Sequence, residues 1–418
     1  MPTKNPNLEL EITLHNQIYE SLQGQWVDYL FKLADLPPTQ DDHLISIANG
    51  TYLKVSEKSM RWLYSLCQKA LDRLAVQDKL RPGETVEFYI ANDPVVNAWT
   101  YSTEQGRHLI ILTSSLYNLL DEDELCFVLG HELGHILMHN AELARLVRNV
   151  FPEREQMPLL LGRKVFFHKQ LAELVADRYG YLACLKLDSC LSALYKLVSG
   201  IDLKEEEINL DDLLDENYDL LDEFIYGDGQ THLDEHPVNP IRVEALRCFA
   251  FIEDEQKLNN RMSFLTDSLL DFGDQGPLYE PLTFFMASAG IIISLLDQQG
   301  ISIEEREQIL LRMSDFDLFP RRTYEKIEAL LCNEDPWEVL VTCYRNSVEC
   351  ILSQNSELAP SLLEYMMSII IADKEINEQE LDFLFRQGQA MGVSRQQIAC
   401  IFAELIQKKF SPSYLSIS

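Results

Sequence analysis

Apolar residues recur at helical spacing from Gln17 to Leu36 and again from Lys58 to Val76, with Pro37-Pro38 punctuating the gap. The period predicts two helices packed on the core, and Arg81-Pro82-Gly83-Glu84 predicts a turn after them. The run Leu125-Cys126-Phe127-Val128-Leu129 follows Asp121-Glu122-Asp123-Glu124. Asp121 with Glu124 three residues later has the form of a capping box, and the acids suit the positive end of a helix dipole. This helix is expected to run through Ile136, Leu137 and Met138 to a polar exit at Asn140. A second helical run spans Gln170 to Leu187, with Glu173 and Asp177 on one face. Residues 204–234 are very acidic with interspersed leucines, which predicts an amphipathic helix and a loop leading to His236. From about Phe264 the pattern is helical throughout. It repeats faintly: Leu295 to Glu305 parallels Ile370 to Glu380, each an apolar helix, an acidic turn and a new helix capped by Ser302 or Asn377. The expected fold is mainly α, of α+β type. It divides into N-terminal helices (1–80), a domain with a small strand cluster (81–255) and an all-α domain (264–418).

Inside the first of these apolar helices lies His131-Glu132-Leu133-Gly134-His135. Residues four apart stack on one helix face, so both imidazoles can meet one zinc ion. Glu132 sits one step round the helix, where a carboxylate can take a proton from water held by the metal. A catalytic zinc normally has three protein ligands. The extended pattern that would supply the third from the same segment needs glycine at Met138 and histidine at Ala141, and has neither. His139 fits the helix face poorly. Glu173, on the second helix among apolar neighbours, is the better third ligand. Asp177, one turn on, is placed to accept the other ring N–H of a ligand histidine and so set its tautomer. Gly134 reads as a packing glycine, or as room for a neighbouring strand or substrate backbone.

With Glu173-x-x-Ala176-Asp177 after the histidines, residues 86–246 resemble the gluzincin branch that contains HtpX, the CAAX prenyl endopeptidases and related soluble peptidases. The resemblance implies a zincin catalytic domain with one zinc per chain on His131, His135 and Glu173, and Glu132 as general base. It implies short strands at Glu87–Asn92, Asn97–Thr100 and His108–Thr113. The second of these would be an edge strand whose Asn97, Ala98 and Trp99 bind substrate backbone. His236-Pro237-Val238-Asn239-Pro240-Ile241-Arg242 is similar to an element in which the histidine and arginine lie near the metal and help bind substrate or the developing oxyanion. Two features depart from the family. The longest apolar stretch, Leu282 to Leu296, falls short of the ~20 residues a membrane span needs. The segment between Ala141 and His168 is longer than a tight connection, and its Met157-Pro158-Leu159-Leu160-Leu161 suggests a flap or helical hairpin over the cleft. The C-terminal repeat resembles the TerB-like helical domain of tellurite-resistance and stress proteins.

Composition narrows the remaining choices. A length of 418 residues implies two or three domains. A formal charge of −32 argues against nucleic acid or an anionic membrane as the main partner, since both are polyanions. The polar opening Met1–Asn5 has no signal-like apolar core, and nine cysteines lie scattered without CxxC pairs. Cys67, Cys126 and Cys400 fall in apolar helical runs, a pattern expected of reduced, buried thiols in a cytoplasm. The expectation is a cytoplasmic zinc metalloendopeptidase acting on protein or unfolded polypeptide, with a protein partner at the C-terminal domain. The alternative is a latent or non-catalytic zincin scaffold whose TerB-like domain acts as an interaction or stress-response module.

Overall fold

In the computed structural model the chain divides into two units, Met1–Leu269 and Leu270–Ser418. The structure describes residues 4–22, 39–103, 106–151, 159–204, 206–226, 237–270, 278–296, 336–370 and 378–410. It is mainly helical with one four-stranded sheet. In the first unit, α1 (Glu9–Leu22), α2 (Thr39–Thr51), β1 (Leu53–Lys54), α3 (Arg61–Arg73) and α4 (Val76–Lys79) precede β2 (Thr85–Ala91), β3 (Ala98–Ser102) and β4 (Arg107–Thr113). Then come α5 (Ser114–Leu119), α6 (Glu122–Leu137), α7 (Asn140–Val150), α8 (Leu159–Cys184), α9 (Leu187–Ser199), α10 (Leu210–Tyr226), α11 (Asn239–Phe251) and α12 (Glu255–Leu270). The first helix begins at Glu9 rather than Gln17, and 23–36 of the expected helix lie outside the described residues.

The sheet runs β1-β2-β4-β3, with β2 and β4 parallel and both outer pairs antiparallel. Strand β4 reads as a continuous apolar run because it lies inside the sheet with both faces covered. Among the described residues, strand β3 is the edge of the sheet on the side of the motif helix. Alternation along β3 sends Thr100 toward α6 and Trp99 toward the opposite face. There Trp99 packs with Tyr89, Leu109 and Ile111.

Helix α6 starts as its sequence predicts. The Asp121 carboxylate accepts from the amides of Asp123 and Glu124, and Glu124 accepts from the Asp121 amide at 2.8 Å. Buried Glu124 also takes Lys196 Nζ at 3.0 Å and Ser192 Oγ at 2.7 Å, which ties α9 to the helix start. The other end differs from expectation. The helix stops at Leu137, and His139 adopts a left-handed backbone (φ 56°) from which α7 restarts at Asn140. Such a conformation costs a non-glycine residue about 1 kcal/mol or more. It reverses the chain so that the apolar face of α7 can pack: Leu143 and Val147 join Ile18 and Leu22 of α1 in one cluster.

Helices α6 and α8 pack at close range along a seam of small residues. A Cβ at Gly130 would lie against Ala183 and 2.9 Å from the Gly180 backbone. One at Gly180 would lie 2.6 Å from the Phe127 ring. Gly134 faces Ala176 and Tyr179 of α8, so it is a packing glycine and leaves no room there for substrate. Of the flap or helical hairpin expected between Ala141 and His168, the structure shows two helices, α7 and the first turns of α8, with 152–158 outside the described residues.

The second unit contains α13 (Tyr279–Ser294), α14 (Pro336–Gln354), a 3-10 turn (Ser356–Leu358), α15 (Ala359–Ile370), α16 (Glu378–Ala390) and α17 (Arg395–Phe410). Its core joins Phe285, Ile291 and Ile292 to Leu363, Met366, Leu384 and Ile398. The apolar stretch at 282–296 is therefore the central helix of a core, and no described helix is long and apolar enough to cross a membrane. The acidic turns of the repeat, at 297–305 and 371–377, lie outside the described residues. No disulfide occurs among the described cysteines. Cys67 and Cys126 are buried, but Cys400 is exposed, on the outer face of α17.

Candidate metal centre

Two turns of α6 and one of α8 bring three donor atoms together. His131 Nε2 and His135 Nε2 are 3.1 Å apart. The Glu173 carboxylate reaches both, Oε2 to His131 and Oε1 to His135, each at 3.4 Å. A tetrahedral zinc with bonds near 2.1 Å spaces its ligands about 3.4 Å apart, and the two imidazoles and the carboxylate stand close to that spacing. The glycine seam between α6 and α8 sets this spacing, because the histidines ride on one helix and the glutamate on the other.

Hydrogen bonds to the far ring nitrogens fix both imidazoles. His131 Nδ1 donates to Asp177 Oδ1 at 2.9 Å, leaving the Nε2 lone pair toward Glu173. Asp177 is gripped in turn by Arg242, Nε to Oδ2 at 2.9 Å and Nη2 to Oδ1 at 2.7 Å. At His135 the amide of Asn140 lies 3.2 Å from Nδ1, with its nitrogen on the ring and its Oδ1 buried without a hydrogen bond. Turning that amide over puts the oxygen on the ring, where it accepts the Nδ1 proton of an imidazole whose Nε2 faces a cation. The rotation gives the oxygen a partner and leaves the His135 Nε2 lone pair facing the centre, which fits an ion there.

Electrostatics agree. Burial alone would push the His131 pKa down, but the hydrogen bonds and charges of Asp177 and Glu173 outweigh it and raise it to about 10. Burial raises Asp177, and Arg242 followed by His131 more than reverses this, holding the carboxyl below its ordinary range. The centre therefore attracts positive charge, and a divalent ion would take the place of the proton on His131.

Glu132 is buried beside the triad and is not part of it. Thr100 Oγ1 donates to its Oε2 at 2.7 Å and contacts its carbonyl oxygen at 3.2 Å, so the edge strand holds the carboxylate. A cleft of about 960 Å³ opens over these groups. Asn97, Ala98 and Trp99 line one side, α7 and His168 another, and Pro237 to Pro240 with Arg242 a third. Asn97 anchors the strand start, its amide 3.1 Å from Thr113 Oγ1.

His139, which fits the helix face poorly, lies 3.7 Å from Glu142 and is not one of the three grouped donors. Arg242, expected at the substrate or oxyanion, lines the cleft with its guanidinium on Asp177 and 3.7 Å from Glu173 Oε2. His236 lies outside the described residues. Thr100 and Asn140 were missed as functional residues. Thr100 was legible only as strand, and Asn140 only as the end of a helix. Replacing Asp177 by Ala is expected to weaken zinc binding on the order of 10–100-fold without removing a ligand. Competition against a chromophoric chelator measures this, and unchanged affinity would show that His131 needs no orienting partner.

Residues 59–151 match the model of Peptidase family M48. Over 210 residues the chain is 27% identical to plastoglobule-localized metallopeptidase 48, chloroplastic, of Arabidopsis thaliana, a match covering 47% of this chain and 59% of that protein. It is 33% identical over 102 residues to Protease HtpX homolog 1 of Saccharolobus solfataricus, covering 24% of this chain and 30% of that one. It is 44% identical over 57 residues to a Protease HtpX homolog of Picrophilus torridus, covering 14% and 19%. The chain thus spans less than two thirds of the length of each of these relatives. No solved structure matches it. The family match includes His131, Glu132 and His135 and ends before Glu173.

Proposed function

We propose that the protein is a zinc-dependent metalloendopeptidase, with one catalytic zinc per chain on His131, His135 and Glu173. The observation that carries this reading is the convergence of the three donors at 3.1–3.4 Å beside the buried carboxylate of Glu132. Similarity to metallopeptidases over the motif segment supports it. When bound, zinc supplies a Lewis acid that acidifies a water and polarises the scissile carbonyl. Glu132 takes the proton of the attacking water and returns it to the leaving amine. Thr100 keeps the carboxylate aimed at that water. Asp177, clamped by Arg242, and Asn140 hold the two imidazoles in the tautomer that leaves Nε2 free.

The substrate is an extended stretch of protein or unfolded polypeptide. It adds along the edge strand β3 at Asn97, Ala98 and Trp99, which line the cleft. His236 and Arg242 help bind substrate or the developing oxyanion. The second unit, with its TerB-like sequence, recruits a protein partner or governs access to the cleft, and the enzyme works in the cytoplasm.

The test is metal analysis of the purified chain together with hydrolysis of casein. His135→Ala is expected to lose nearly all zinc from this centre and all hydrolysis. Hydrolysis that survives in His135→Ala, in a preparation free of contaminating protease, would sink the reading.

A further inference from the structure

Helix α1 carries Glu11 and His15 four residues apart, the same spacing as the two histidines of the motif. Leu14, Ile18 and Leu22 of α1 are buried, and Ile18 and Leu22 pack against Leu143 and Val147 of α7. Among these apolar contacts Glu11 and His15 meet His168 of α8. Glu11 Oε1 lies 2.9 Å from His168 Nε2, and both residues are buried. The His15 ring stands edge-on to that of His168 with centroids 5.4 Å apart. One ligand atom from each of the three residues lies within 4.8 Å of the other two. We propose that Glu11, His15 and His168 form a second metal site, which takes a divalent transition-metal ion of the zinc type and pins α1 to the helix that bears Glu173.

A plain ion pair accounts for only two of the three groups. Glu11 with a protonated His168 would form a neutral pair, and His15 would be left as a second imidazole against a cation in an apolar interface. The His15 ring stands against His168 in the same interface and can turn a ring-nitrogen lone pair to a shared ion. A buried carboxylate needs a cation, and two neutral imidazoles with a carboxylate are a donor set that suits zinc-type ions. A divalent ion uses all three groups at once.

The site is structural rather than co-catalytic. His168 precedes Glu173 by five residues on α8, roughly 7.5 Å along the axis and roughly 140° round it. Paired catalytic metals stand about 3.5–4 Å apart. Because His168 also lines the cleft, the ion would stiffen the wall that presents Glu173.

The experiment counts zinc, and separately cobalt by its visible absorption, in the full chain and three variants. Wild type is expected to hold two ions, His135→Ala one, His15→Gln one and the double variant none. His15→Gln should keep casein hydrolysis. Zinc should raise the melting temperature of His135→Ala, which retains only the second site, because an ion bound to the folded state alone stabilises it. Glu11→Gln provides a second variant of the site, and if neither it nor His15→Gln folds, the count in His135→Ala decides. One ion in wild type with none in His135→Ala would overturn the second site. One ion in His135→Ala with none in His15→Gln would uphold the second site and remove the catalytic one.

Discussion

Glu132→Gln is expected to keep its zinc and lose at least ~100-fold of peptide hydrolysis. The amide matches the carboxylate in shape, and its oxygen can still accept the Thr100 hydroxyl that now sits 2.7 Å from Oε2. No ligand atom is removed, so the spacing of His131, His135 and Glu173 is unaffected. What disappears is the ability to take a proton from the attacking water and give it to the leaving amine. Measuring zinc content and casein turnover on the same preparation separates the two roles. Loss of zinc along with activity would mean that Glu132 holds the centre together. Full activity with zinc retained would mean that another group is the base.

Thr100→Val sharpens the point without another measurement, since it leaves Glu132 in place and removes only the group that aims it. In the structure the Glu132 carboxylate is held jointly by α6 and β3. The motif names only the α6 half.

That division runs through the whole molecule. The helix that carries the motif was legible because its start and its register are local properties: Asp121 and Glu124 cap it, and a four-residue spacing places both histidines on one face. Glu173 and Asp177 were legible for the same reason, as two acids on one face of an apolar helix. The short strands were placed to within two residues at each end. What sequence could not reveal depended on tertiary context. His139 sits in a polar run that continues a helix pattern, yet its backbone reverses because the α7 face has a cluster to join. Arg242 was expected near the metal, but its two hydrogen bonds to Asp177 depend on how α11 docks and could not be read from the motif. Asn140 differs from any loop asparagine only through a ring nitrogen five residues back. Glu11 and His15 fall before the first helix that the hydrophobic period predicted, so nothing in the pattern joined them to His168. Cys400 lies in an apolar run but is exposed on α17 among the described residues.

Gly130→Ala is expected to destabilise the protein by on the order of 1–3 kcal/mol, the cost of overpacking a close-packed core. It should also weaken zinc at least ~10-fold in the fraction that stays folded, an effect comparable to loss of a group that orients a ligand. Helix propensity alone predicts the reverse, because alanine is better than glycine in a helix interior by about 1 kcal/mol. Packing wins because of what the new methyl meets: the Ala183 side chain, the Gly180 backbone and the Tyr179 carbonyl, the last two at 2.9 Å. None of these is the end of a flexible side chain, so α8 must move away from α6 as a body. Glu173 and Asp177 move with it, and the distances from Glu173 to the two imidazoles grow together. Leu125→Ala supplies the contrast on the same helix. It removes a buried side chain far from the seam and should cost about 2–5 kcal/mol through the cavity it leaves, without forcing the helices apart. Thermal melts and chelator competition on both variants distinguish the effects. The leucine variant should be the less stable of the two but keep its zinc affinity, while the glycine variant loses affinity for a smaller loss of stability. Wild-type affinity in a folded Gly130→Ala protein would show that the seam does not set the geometry of the centre.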